Sequence, residues 1–148
     1  MELRKANIAD TQRLVALRKQ QLLDEGITPV HNIDLELKNY FLTNLSNNTF
    51  ISWVAIENNN IIATSGICFY QLPPSYTNPS GRIAYVTNMF TVKNYRRQGI
   101  ASQLLKKVIE EAKNLNYNSV RLHASSDGKN LYTKIGFVDL YGYMTLKL

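Results

Sequence analysis

Apolar and polar residues alternate along the N-terminal half in patterns that predict strands and helices in turn. A short strand, LRKA at 3–6, precedes two stretches with apolar residues at helical spacing, 10–26 and 33–45. The β-rich runs at 50–57 and 61–72 flank three asparagines. This arrangement predicts a hairpin with an asparagine turn.

The C-terminal half continues the alternation, with a long β-rich run at 82–92. The clearest amphipathic helix then follows Gly99, with an apolar stripe of Ile100, Leu104, Leu105, Val108, Ala112 and Leu115. We expect a strand at 119–124, a short helix within 125–136, and a last strand or two in 137–148. The order β-α-α-β-β-β-α-β-α-β(-β) predicts a single α/β (α+β) domain over residues 1–148, with a mixed central sheet flanked by helices.

Charge divides the chain unevenly and points to an anionic partner. Residues 82–148 hold eleven Lys/Arg and four Asp/Glu, a net charge of +7, whereas residues 1–81 hold six and seven, a net charge of −1. The basic half suits nucleic acid or a phosphorylated small molecule. The single cysteine, Cys68, and the lack of a signal-peptide core or membrane-length apolar run favour a cytoplasmic protein without membrane partners.

The segment VKNYRRQGIA, residues 92–101, places two arginines and a glycine between a strand and a helix. A helix N-terminus exposes unpaired N–H groups and a positive dipole end, so this turn predicts a phosphate site. The chain has neither a P-loop nor a dinucleotide-binding glycine pattern, and no metal-ligand spacing is present, so no metal is expected. We expect His31 and His123 at the surface.

The sequence MFTVKNYRRQGIASQLL, followed by VRLHASSDGKNLYTKIGF, resembles the GNAT superfamily of N-acetyltransferases. The resemblance implies a GNAT-like fold and acetyl-CoA as co-substrate. It also implies that the pyrophosphate binds at the turn and the pantetheine arm along the preceding strand. The cofactor-binding residues it implies are Phe90, Thr91, Val92, Arg96, Arg97, Gln98, Gly99, Ile100, Ala101, Ser102 and Ser125. Ala101 replaces a frequent second glycine, and Ser125 replaces a frequent asparagine.

The same resemblance implies that Tyr132, in LYTKIGF, is the acid that protonates the leaving thiolate. The strand before the turn has no acidic residue, although many family members carry a glutamate there. Tyr85, Thr87 or Asn88 could hold a water that removes the proton of the amine. The general base is therefore left open.

The predicted activity is acetyl transfer from acetyl-CoA to a primary amine by direct attack in a ternary complex. Asp24, Glu25, Asp34 and Glu36 lie close together in the sequence, which is compatible with a cationic acceptor, either a small molecule or a peptide amine. A non-catalytic acyl-CoA-binding domain and a basic nucleic-acid-binding module are the alternatives. Only Tyr95 lies beside an arginine of the turn, which disfavours nucleic acid. A homodimer is left open.

Overall fold

The structure, a computed structural model, describes residues 1–140, 142 and 144–148. These residues form a mixed five-stranded sheet with helices on both faces. The elements in chain order are β1 (Glu2–Lys5), α1 (Thr11–Asp24), α2 (Asp34–Ser46), β2 (Phe50–Glu57), β3 (Asn60–Gln71), β4 (Arg82–Thr91), α3 (Ile100–Asn114), β5 (Val120–Leu122) and α4 (Lys129–Ile135). The sheet order is β1-β2-β3-β4-β5, and among these described strands only the β4–β5 pair is parallel. The predicted α/β class and mixed sheet are confirmed.

The predicted asparagine hairpin joins β2 to β3. Asn58 and Asn59 have φ values of 49° and 61°, and the flanking residues Glu57 and Asn60 pair directly. Two left-handed residues at the centre of a turn match the twist of an antiparallel pair, and asparagine tolerates that conformation better than most side chains. The turn sets the pairing of the residues next to it, and a one-residue register shift between Ala55 and Ile56 resets the pairing along the rest of the hairpin.

Alternation along β2 divides the core between the two faces of the sheet. Phe50 and Val54 pack towards α1 and α2 in a cluster that also contains Leu14, Leu17, Phe41, Ile61 and Phe90. On the other face, α3 and α4 pack in a cluster with Ile67, Ala84, Val86, Leu105, Val108, Ala112 and Tyr132. The predicted α3 stripe is buried except for Leu115, which follows the last helical residue and is 41% exposed.

The C-terminal segment differs from the prediction. The described residues of 137–148 include no strand, and Tyr141 and Tyr143 lie outside the described residues. The alternating apolar side chains of this segment, namely Val138, Leu140, Met144, Leu146 and Leu148, are exposed. Alternation favours a strand only when one face can be buried, and these side chains bury little surface. Among the described residues, no helix has the length and apolar character needed to cross a membrane.

One ion pair ties the start of α1 to the edge strand β1. Arg4 donates to Asp10 through both terminal nitrogens, at 2.7 and 2.9 Å, and the N–H of Asn7 donates to the same carboxylate at 2.9 Å. The hydrogen bond from Arg4 is the main reason that the pKa of Asp10 lies below its usual range. This arrangement stabilises the folded state while the carboxylate is ionised.

We therefore expect Asp10→Asn to reduce the free energy of unfolding by about 2 kcal/mol at pH 7, because charged hydrogen bonds of this kind are worth about 1.5–3 kcal/mol. This difference in unfolding free energy between the parent and the variant should have its full size above the unfolded pKa of Asp10, about 4. It should vanish as the pH falls through the lowered folded pKa of Asp10. Urea unfolding at several pH values measures it. Asp139→Asn, which breaks an exposed pair with Lys129, is the control and should cost at most about 0.5 kcal/mol. Equal losses for the two variants at pH 7 would contradict the prediction.

Candidate active site

The two parallel strands of the sheet run side by side over a short length only. Residues 84–86 of β4 pair with residues 120–122 of β5, where β5 ends, whereas β4 continues to Thr91. The backbone edge of β4 beyond Val86 therefore has no β5 partner. An opening results between the C-terminal part of β4 and the chain that follows β5.

A β-bulge lies at the same level of β4. Thr64 of β3 faces Phe90 and Gly66 faces Thr87, so β4 contains one residue more than β3 between these pairs. Within this interval Asn88 is 7% exposed and has a φ of 54°. A bulge bends its strand and changes the direction in which its side chains point, which is consistent with the separation of β4 from β5.

A cavity of about 260 Å³ occupies this opening. Its wall combines residues of α1, β4, the chain after β5 and α4: Arg18, Gln21, Glu25, Tyr85, Val86, Thr87, Asn88, Met89, His123, Ser125 and Tyr132. The cavity brings the predicted acid, Tyr132, together with all three residues predicted to hold a water, Tyr85, Thr87 and Asn88. It also contains Glu25, named above for a cationic acceptor, and three polar residues that the sequence analysis did not assign to the site, Arg18, Gln21 and His123.

Tyr132 is 8% exposed and packs edge-on against Phe137, with ring centroids 5.9 Å apart. Burial, followed by the nearby charges of Glu25 and Tyr85, raises the pKa of its hydroxyl. The hydroxyl is therefore protonated at neutral pH, as an acid requires. A Cβ atom on Gly128 would come within 2.7 Å of the Tyr132 ring, so glycine there leaves room for the ring.

Ser125 lies in the cavity wall but also has an internal role. Its hydroxyl accepts a hydrogen bond from the N–H of Gly128 at 3.2 Å, and its carbonyl accepts from Gly128 and Lys129, both at 3.1 Å. These bonds hold the turn before α4, the helix that carries Tyr132. Ser125 thus positions α4 while its side chain borders the cavity.

The predicted phosphate turn connects β4 to α3 through two residues in the left-handed region. Arg97 has a φ of 62° and Gly99 a φ of 78°. The Gly99 carbonyl accepts the N–H of Gln103 at 3.1 Å, so the N–H groups of 100–102 precede the first bonded turn of α3. A Cβ atom on Gly99 would meet nothing within 4 Å. The space beside Gly99 is therefore open, and the amides of Ile100, Ala101 and Ser102, which have no partner one turn back in the helix, are the candidate donors to an anion.

The two arginines of the turn have different surroundings. Arg96 pairs with Asp24 at the end of α1, donates to the Thr91 carbonyl at 2.9 Å, and lies 5.5 Å from the Phe90 ring. Arg97 is exposed, with no ion pair in the part of the chain that the structure describes. Arg96 thus joins the turn to β4 and α1, and Arg97 is the more available of the two for a ligand.

The other predicted cofactor-binding residues lie along the same path. Phe90 is buried, and the Oγ1 atom of Thr91 is buried without a partner among the described residues. The N–H of Val92 donates to the Ile62 carbonyl at 2.9 Å, which joins the end of β4 to β3. Gln98 is exposed, and its amide donates to the Asn94 carbonyl at 3.3 Å.

Comparisons with known proteins agree with this geometry. A family model described as "Acetyltransferase (GNAT) domain" matches residues 48–139. A solved structure of a predicted acetyltransferase with acetyl-CoA, from Clostridium acetobutylicum, is 45% identical over 99% of this chain and 95% of that chain, with a TM-score of 0.95. The chain belongs to the GNAT acetyltransferase family. It is therefore an N-acetyltransferase, as the sequence predicted.

More distant GNAT structures share the fold alone. A GCN5-related N-acetyltransferase from Ralstonia eutropha is 20% identical over 99% of this chain and 97% of that chain, with a TM-score of 0.90. Glucosamine-6-phosphate N-acetyltransferase from Arabidopsis thaliana is 17% identical over the same shares of the two chains, with a TM-score of 0.76. No match was found among curated proteins.

In this GNAT acetyltransferase, α1 and the residue after it contribute a polar face of which sequence reasoning named only Glu25. Arg18, Gln21 and Glu25 follow one another at intervals of three and four residues, so they share one side of the helix. The sequence shows this spacing, but it does not show that this side of the helix faces β4. His123, predicted at the surface, is exposed and nevertheless borders the cavity. No group of three or more His, Cys, Asp or Glu in the described residues could hold a metal ion.

Proposed function

We propose that this enzyme transfers an acetyl group from acetyl-CoA to a primary amine by direct attack in a ternary complex. The observation that carries the proposal is the position of Tyr132. This buried residue, with a protonated hydroxyl, lines the cavity beside the free edge of β4, the strand that leads into the Gly99 turn. One strand thus links a phosphate-binding turn to a site that can supply a proton.

The residues present are suited to coenzyme A. The amides of residues 100–102 and the Arg97 side chain offer donors and positive charge for the phosphates. The edge of β4 that β5 leaves unpaired, between residue 87 and Thr91, offers backbone groups to the amides of the pantetheine arm, whereas the backbone of Val92 is already bonded to Ile62 and Tyr95. When bound, acetyl-CoA supplies a thioester whose carbonyl carbon accepts the amine nitrogen.

The reaction then requires residues that remove protons from the amine nitrogen and a residue that donates a proton to the leaving thiolate. An alkylamine with a pKa of about 10.4 is neutral in on the order of one molecule in a thousand at pH 7, so the attacking nitrogen must first lose a proton. Tyr85, Thr87 and Asn88 offer polar groups for a water that accepts it, and Glu25 and His123 are titratable groups in the same wall. As the C–N bond forms and the C–S bond breaks, Tyr132 gives its proton to the thiolate. The second proton, which the nitrogen loses in becoming an amide, passes through the water and restores Tyr132.

A thiol-release assay tests the proposal. Purified protein is incubated with acetyl-CoA and a panel of primary amines, and free coenzyme A is followed with a thiol reagent, with acetylated product confirmed by mass. We expect turnover with at least one amine. Coenzyme A binding without turnover of any amine would favour a non-catalytic acyl-CoA-binding domain. A high 260/280 absorbance ratio after purification would indicate bound nucleic acid instead.

A further inference from the structure

Arg18 is a half-buried cation in the cavity wall with little internal compensation. Its guanidinium makes one hydrogen bond, from Nη1 to Oε1 of Gln21 at 3.1 Å, and forms no ion pair within the described part of the chain. A guanidinium has five N–H donors, so most of them have no protein partner in the described part of the chain. Burial lowers the pKa of Arg18 by more than the charge of Glu25 raises it.

Acidic residues that could have neutralised this end of the molecule are engaged elsewhere. Asp24 pairs with Arg96, and Asp34 pairs with Lys19 at 2.5 Å. Two of the four carboxylates that suggested a cationic acceptor therefore already have cationic partners. The cavity retains one cation, Arg18, and one carboxylate, Glu25.

Gln21 holds these two opposite charges apart. It is 7% exposed; its Oε1 accepts from Arg18 at 3.1 Å, and its Nε2 donates to Glu25 at 2.9 Å. Two such bonds joined by one amide group limit the distance between the Arg18 nitrogen and the Glu25 oxygen to roughly 8 Å. A ligand that contacts both would carry its own opposite charges only a few bonds apart.

Both charged side chains belong to the wall of the cavity that also contains the predicted acid, Tyr132. Because Gln21 links Arg18 to Glu25, an amine that lies beside Glu25 can direct the rest of its molecule towards Arg18.

We propose that the acceptor is a small primary amine that carries an anionic group, a carboxylate or a phosphate, and that Arg18 binds this group. The inference rests on the proposed acetyl transfer and narrows its substrate class. Arg18 is then a specificity-determining residue, because a guanidinium binds two oxygens of either anion in one plane. Gln21 is a positioning residue, since it orients both charged side chains.

Matched pairs of amines test the substrate class. The first pair is β-alanine and β-alaninamide, and the second is 2-aminoethyl phosphate and 2-aminoethanol, each compared per concentration of unprotonated amine. We expect the anionic member of at least one pair to have a kcat/KM about 10- to 100-fold higher than its neutral partner. The pair with the larger ratio distinguishes carboxylate from phosphate. Neutral members used as well as the anionic ones would overturn the proposal.

Variants of α1 then assign the preference to Arg18. Arg18→Gln should abolish the preference for the anionic amine by lowering its kcat/KM about 10- to 100-fold, mainly through a higher KM. The kcat/KM of the neutral amine should change less than about twofold. Lys19→Gln removes the same charge from the next residue, outside the cavity, and should leave the preference intact. An equal fall for both members of a pair in Arg18→Gln would show a merely structural role and would refute the assignment.

A binding measurement separates failure of this inference from failure of the proposed function. Coenzyme A, and then the four amines on the coenzyme-saturated protein, are titrated by calorimetry. Coenzyme A binding with no preference for the anionic amines, in binding or in turnover, overturns the inference alone. If the parent protein does not bind coenzyme A, the proposed function itself is overturned. Preferential binding of the anionic amines that Arg18→Gln removes supports the inference even if turnover is slow.

Discussion

Replacing Tyr132 by phenylalanine is expected to lower kcat by about 10²- to 10⁴-fold, the usual range for the loss of a general acid. Tyr132 lines the cavity, and the raised pKa of its hydroxyl keeps the proton available at neutral pH. Because the thiolate takes its proton only as the C–S bond breaks, the affinity for coenzyme A should change little. Steady-state rates with an acceptor from the amine panel, together with calorimetry of coenzyme A, measure both quantities.

The substitution should leave the fold intact, since phenylalanine retains the ring that packs against Phe137. Tyr117→Phe is a matched control. This half-buried tyrosine stacks on Phe69 with centroids 4.9 Å apart and lies under Arg82 at 4.1 Å. It is not part of the cavity wall, so its kcat should match the parent. Melting curves of both variants exclude unfolding. A Tyr132→Phe enzyme that turns over like the parent would remove Tyr132 from the reaction.

Gly99→Val is expected to weaken coenzyme A binding by about 100-fold or more. The added side chain would project into open space at the turn, where the phosphates are expected to lie, and it would force a β-branched residue into a φ of 78°. Arg97→Ala removes one exposed charge, which costs about 1 kcal/mol or roughly fivefold in affinity. Calorimetric titration of coenzyme A ranks the two variants.

Gly26 provides a control for backbone strain. Its φ of 79° is close to that of Gly99, and its added Cβ would likewise meet nothing within 4 Å. Gly26→Val should therefore lower the melting temperature about as much as Gly99→Val, yet bind coenzyme A within about twofold of the parent. If Gly99→Val binds coenzyme A like the parent, or if both valine variants lose affinity equally, the pyrophosphate assignment fails.

Local pattern was sufficient for most of the fold. β2 begins and ends at the predicted residues, Phe50 and Glu57, and α3 starts at Ile100, directly after Gly99. Alternation, helical periodicity and glycine or asparagine turns each involve only a few neighbouring residues, so they can be recognised in a single sequence. The final strand was predicted from the same alternation, but the described residues of 137–148 form none. A strand also requires a neighbouring edge, which alternation does not reveal.

The site divides in the same way. The sequence by itself determined the family, the Gly99 turn and Tyr132 as the candidate acid. The turn and the tyrosine each lie in a continuous sequence motif, and the two motifs together indicate the family. Only the tertiary structure decided that Arg96 pairs with Asp24 at the end of α1, and that Arg18, Gln21 and Glu25 border the opening beside β4. These are contacts between residues distant in the chain, set by the packing of α1 on the sheet and the early end of β5. No local pattern contains that packing, and the predicted acceptor specificity depends on it.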